Sequence, residues 1–132
     1  MDKKMMYWLN ESKENFDTAQ ILYRNNKFLE TAFFCQLSTE KMLKAFIAKR
    51  TETMPPKIHN LLSLANKANL DNELSESQLE FLTDLNPFQL EGRYPGDREI
   101  LLKKTPKSEF ADLLKRTEVE LQWLEQKLKS EK

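Results

Sequence analysis

His59 is the only histidine in the chain. Imidazole titrates near neutrality, so it can serve as a general base or donate a hydrogen bond to a phosphate. It follows Pro55-Pro56-Lys57-Ile58 at the mouth of a helix, where a capping or packing histidine that pins the loop is the plainer reading. Gln36 and Glu40 interrupt an otherwise apolar run, and Ala32, Gln36, Glu40 and Leu43 recur on one face at helical steps. A carboxylate at the edge of a buried stripe, or inside it, needs a charged or hydrogen-bonding partner. Lys44 stands at i+4 from Glu40, the favourable order for a helical ion pair. The pair is either a surface contact worth about 0.3–0.5 kcal/mol or part of a polar constellation facing a groove or subunit interface. The segment Gly92-Arg93-Tyr94-Pro95-Gly96-Asp97-Arg98 combines cations, an aromatic ring and glycines. Such a segment can grip phosphate and stack a base, or it can be an inter-helix loop whose arginine pairs with a nearby carboxylate. Its glycines make neither a GxGxxG nor a Walker loop.

Other chemistry is scarce. One histidine and one cysteine, Cys35, cannot supply the usual zinc ligand set. Cys35 lies among Phe33, Phe34 and Leu37 and reads as a buried structural thiol. It rules out an internal disulfide and suits a reducing compartment. Trp8 and Trp123 fall on apolar faces of the first and last helices, as core or interface residues more than as base-stacking platforms.

The elements that must position these residues are helical. The 132 residues fit one domain. Two glycines and five prolines are too few turn formers for an all-β chain. The expected fold is all-α, an antiparallel up-and-down bundle of about five helices spanning 1–132. Met5, Leu9, Ser12, Phe16, Ala19 and Tyr23 mark a helix from about Lys3 to Asn25, which Asn25-Asn26 ends. A second, apolar on several sides, runs from about Phe28 to Arg50, and the short link between them implies a hairpin. Pro55-Pro56 breaks the chain. A short third helix starts near His59 or Asn60, and a Ser75/Gln78 capping box opens a fourth that Pro87 closes. Phe88 to Asp97, with both glycines and Pro95, is expected to be a loop. Thr105-Pro106 starts the last helix. No stretch is apolar enough to span a membrane and no signal peptide is visible, so a cytoplasmic location is expected. Lys+Arg and Asp+Glu balance at 21 each. That balance argues against a broad electrostatic grip on duplex DNA and leaves room for a local basic patch.

Four stretches in order resemble the HEPN (higher eukaryote and prokaryote nucleotide-binding) domain family. They are Phe16-Asp17-Thr18-Ala19, then Phe33-Phe34-Cys35-Gln36-Leu37-Ser38-Thr39-Glu40-Lys41-Met42-Leu43-Lys44-Ala45, then Pro56-Lys57-Ile58-His59-Asn60-Leu61, and Arg93-Tyr94-Pro95. The resemblance implies a helical bundle that commonly forms a homodimer and is often encoded beside, or fused to, a minimal nucleotidyltransferase. It also implies one site lined by Gln36, Glu40, Lys41, Lys44, His59, Arg93 and Tyr94. Several HEPN proteins are ribonucleases or toxins that use an arginine and a later histidine separated by four to six residues. Here Glu52, Thr53 and Met54 occupy the positions where that arginine would stand before His59, and no histidine follows Arg93.

Three functions follow as expectations. The first is a non-catalytic module that binds a nucleotide or RNA and works with a separate nucleotidyltransferase subunit. The second is a ribonuclease toxin with a rearranged His59 and Arg93. The third is a bundle that only dimerises or caps a partner. No cofactor is expected apart from a nucleotide ligand, and no metal or membrane partner.

Overall fold

A computed structural model describes residues 2–131. They form six α-helices: α1 (Lys3–Arg24), α2 (Phe28–Thr51), α3 (Leu61–Lys67), α4 (Glu76–Leu85), α5 (Pro95–Lys104) and α6 (Lys107–Ser130), with a 3₁₀ turn at Asn86–Phe88. No strand occurs among the described residues.

The long helices start and stop where local chemistry dictates. Asp2 accepts from the Lys4 amide at 2.9 Å and opens α1. At its end the Asn25 side chain donates to the Ile21 carbonyl, and Asn26 turns the chain at φ +61°. Asn tolerates that left-handed conformation better than most residues, so α2 returns antiparallel to α1. Small residues let the two helices meet closely. Ser12 is fully buried and donates to the Ser38 carbonyl across the hairpin at 2.7 Å, with Ala19, Ala32 and Cys35 buried in the same core.

Helix α2 is the spine. It packs on α1, α3, α4, α6 and the 3₁₀ turn, which explains the apolar residues on several of its sides. Its left-handed cap at Glu52 (φ +55°) precedes the Pro55-Pro56 break. The core runs from Met5 and Leu9 through Leu43, Phe46 and Ile47 to Leu113, Leu124 and Leu128. Phe110 of α6 joins it by stacking on Phe28 and meeting Phe88 edge-on. The expected caps are present. Asn60 accepts from the Ser63 amide, and Ser75 and Gln78 close a reciprocal capping box.

One expectation is corrected. Phe88 to Asp97 is not loop throughout: Phe88 ends the 3₁₀ turn, and Pro95 is the first residue of α5. Proline's fixed φ and missing N–H suit a helix start. Helix α5 is the additional helix beyond the five expected, and it buries only Leu101.

Candidate functional site

The site is built on the middle of α2. Gln36 and Glu40 are 0% and 1% exposed, so they lie inside the stripe, and Glu40–Lys44 is not a surface pair. Lys44 is itself only 5% exposed and donates to Glu40 Oε2 at 3.2 Å. The other carboxylate oxygen, Oε1, faces His59 Nδ1 at 3.1 Å and Gln36 Nε2 at 3.4 Å. A carboxylate accepts only, so Nδ1 carries the proton in this contact. Nε2 then remains on the outer edge of the ring, 3.8 Å from Glu91 Oε2, with the His59 side chain 45% exposed.

The loop that delivers His59 is fixed by three contacts. Gln36 Nε2 donates to the His59 carbonyl at 2.9 Å. Asn60 caps α3. Asn86 Oδ1 accepts from the Leu61 amide at 2.9 Å, tying the start of α3 to the 3₁₀ turn. The imidazole is therefore held both through its backbone and through its ring.

Gln89 brings the third segment in. Its amide donates to Gln36 Oε1 at 3.3 Å and approaches Glu40 Oε1 at 3.5 Å, while its own oxygen accepts from the Glu91 amide. The chain then turns tightly. The Arg93 amide donates to the Leu90 carbonyl, with Gly92 at φ +80°, a type II arrangement that favours glycine at that position. Arg93 Nε donates to the Gln89 carbonyl at 3.1 Å, and Arg98 donates to the Leu90 carbonyl.

Of the seven residues singled out in the sequence, Gln36, Glu40, Lys44 and His59 form one connected network. Arg93 sits exposed beside it, joined through Gln89. Lys41 lies instead over the Trp8 ring, 5.3 Å from its centre. Tyr94 precedes α5 with 77% of its surface exposed. Gln89 and Glu91 went unnoticed in the sequence. The only hint of Gln89 is a lone amide between Phe88 and Leu90, both of which are buried. Every buried side-chain nitrogen and oxygen among the described residues has a hydrogen-bond partner. The described residues gather no group of three or more His, Cys, Asp or Glu side chains able to hold a metal ion, and none of their helices is long and apolar enough to cross a membrane.

A second polar cluster lies at the far end of α2. Arg50 donates to the carbonyls of Ala68 and Asn69 and pairs with Glu73 and Glu131. Lys127 also meets Glu73, at 2.7 Å. Arg50 and Lys127 hold the Glu73 carboxyl down to about 2, and the two carboxylates hold Arg50 firmly charged. Deep in the core, burial pushes the Cys35 thiol up to about 12, which makes it an unreactive structural thiol.

Neither the curated proteins nor the solved structures contain a match to the chain. The family model of the HEPN domain matches residues 5–127, a span that takes in all four stretches that carried the resemblance and both sides of the Glu40–His59 contact, and the chain belongs to the HEPN domain family.

Proposed function

We propose that this chain is a nucleotide- or RNA-binding HEPN module that acts as a homodimer beside a separate nucleotidyltransferase subunit, which supplies the chemistry. The observation that carries the reading is the Glu40–His59 contact. A buried carboxylate, braced by Lys44 and Gln36, orients an imidazole whose Nε2 edge stays open. Arg93 stands exposed on the adjoining turn. The guanidinium suits a phosphate group, and the outward Nε2, left as an acceptor while Nδ1 donates to Glu40, suits a hydroxyl or amino group of the nucleotide. The Glu91 carboxylate, 3.8 Å from Nε2 and 58% exposed at its side chain, has to move aside for an anion to enter. The test is isothermal titration with ATP and with short RNAs. Binding to one of them, weakened at least tenfold by His59→Ala and by Arg93→Ala, supports the reading. No heat with either, on protein shown to be folded, overturns it.

The dimer is supported by α5. Ile100 is 61% exposed, and it shares a face with Asp97 and Lys104, at helical spacing on either side. Two such faces packed antiparallel about a two-fold axis place each acidic end against the other's basic end. Sedimentation should give twice the chain mass, and Ile100→Glu should return the monomer.

The same contact supports a second reading, a ribonuclease. A carboxylate that fixes the Nδ1–H leaves Nε2 as the base for a 2′-hydroxyl, with Arg93 as the cation for the developing charge. Expression should then arrest growth, and His59→Ala should relieve the arrest. An equally toxic variant removes this reading.

A further inference from the structure

The first turns of α1 carry a feature that the Glu40–His59 site does not use. Met5 and Leu9 point into the core, each at most 2% exposed, while Tyr7 beside them is 57% exposed. The Tyr7 ring meets Trp8 edge-on, with centres 5.0 Å apart and planes at 83°. Met54, on the link after α2, is 71% exposed. Together with Lys3 and Lys4, these residues line an open hollow of about 280 Å³.

The charged residues that line this hollow are Lys3 and Lys4. Lys41 and Lys44 hold their ammonium groups 5.3 and 5.5 Å from the centre of the Trp8 ring, a cation–π arrangement. Lys3, Lys4 and Lys41 take part in none of the ion pairs among the described residues. Asp2 is turned to the Lys4 amide as the helix cap. The balanced overall charge therefore conceals a local cationic patch interleaved with aromatic rings. Lys44 belongs to both regions: on one side it faces Trp8, and on the other it donates to Glu40, which in turn holds His59.

We propose that the exposed Tyr7 ring, braced edge-on by the partly buried Trp8, is a stacking platform for an unpaired base of single-stranded RNA, whose neighbouring phosphates pass over Lys3, Lys4 and Lys41. The proposal rests on the nucleotide-binding reading and adds a second point of attachment to it. Aromatic faces next to lysines recognise a base with its phosphate, whatever the base. A duplex buries its base faces in its own stack, so the platform selects single strands. The platform and His59 adjoin the same Lys44–Glu40 pair from two sides, so a strand of several nucleotides that stacks a base on Tyr7 is directed toward His59.

The test uses the full chain carrying Trp123→Phe, which leaves Trp8 as the only tryptophan, titrated with an adenylate octamer and with AMP. The octamer should quench Trp8 saturably and bind at least tenfold more tightly than AMP. Tyr7→Ala, a change at an exposed side chain, should weaken octamer binding about 5- to 160-fold, in keeping with the loss of one stacked base. Lys3→Ser with Lys4→Ser should lower the slope of log affinity against log salt by about 1.4, the value for two phosphate contacts on a single strand. If the octamer binds Tyr7→Ala with undiminished affinity and leaves Trp8 unquenched, the platform is wrong. The nucleotide-binding reading then still stands, provided His59→Ala weakens that binding. AMP binding as tightly as the octamer overturns the strand. A Trp8 signal that changes with protein concentration alone, together with a doubled mass that Tyr7→Glu halves, makes the patch a contact between copies and overturns the proposal. No octamer binding to the parent protein overturns both readings.

Discussion

Two polar clusters hang from the same helix, and they differ in what they leave unsatisfied. At the middle of α2, Gln36, Glu40 and Lys44 are buried and bonded to one another through Glu40, to the His59 loop and to Gln89, and the outer edge of His59 is left facing outward. At the end of α2, Arg50 sits between Glu73, Glu131 and two backbone carbonyls, with solvent alongside and every charge matched. The second cluster fastens the α3–α4 connection and the end of α6 to α2. The first uses the same kinds of side chain to hold a partly exposed imidazole in place. Charged residues alone do not distinguish the two clusters; the orientation of a remaining free atom does.

The comparison can be broken most forcefully at Glu40. Glu40→Ala leaves the Lys44 ammonium buried without its partner and should cost about 3–5 kcal/mol in urea unfolding. Glu40→Leu combined with Lys44→Met should recover most of that loss, because apolar residues of similar volume replace a buried pair with little penalty. A cost below about 1 kcal/mol for Glu40→Ala would mean that the network is not dry. Arg50→Ala should cost less, about 1–2 kcal/mol, since its partners regain water, and nucleotide or RNA affinity should stay unchanged.

The pH dependence sharpens the contrast. Glu73 is held at about 2, against an ordinary 4.5. A depressed carboxylate contributes stability above its unfolded value and loses that contribution as the pH falls through its folded value. The share due to Glu73 should therefore fade between about pH 4.5 and 2, and Glu73→Gln should flatten that limb of the stability curve. Because Glu73 is well exposed, the change should be modest. Glu120 acts in the opposite sense. Burial raises its carboxyl, so its ionised form costs stability near neutrality, and that cost should disappear in acid.

Smaller effects are expected on the outer turn. Gly92→Ala places a Cβ at φ +80° with no neighbouring atom to clash, so the backbone alone should cost about 1 kcal/mol. Smallest of all for stability is His59→Ala, under about 1 kcal/mol for a half-exposed ring, although it is expected to weaken binding at least tenfold. A His59→Ala protein that binds as before would leave the mid-helix cluster as a second fastener.

Much of the architecture is legible in local patterns. The hairpin follows from two amphipathic runs joined at Asn25-Asn26, and the caps of α3 and α4 follow from Asn60 and from Ser75 with Gln78, because each signal lies within a few residues of its effect. Helix α5 escaped because Pro95 and Gly96 read as loop and only Leu101 is buried, so no apolar stripe announces it. Arg50 escaped because one of its partners, Glu131, lies 81 positions away. Gln89 escaped for the same reason, since it meets Gln36 across 53 positions.

The residue order by itself determined that long helices form, where they end, and that Gln36 and Glu40 share a helical face with Lys44 one turn beyond. These follow from spacing and from the backbone preferences of single residues. Only the packed structure decided that this face turns inward, that His59 arrives at Glu40 with its outer nitrogen exposed, and that Trp8 lies beneath Lys41 and Lys44. Those outcomes depend on helices remote in sequence closing around α2, where burial turns a weak surface pair into an obligatory one.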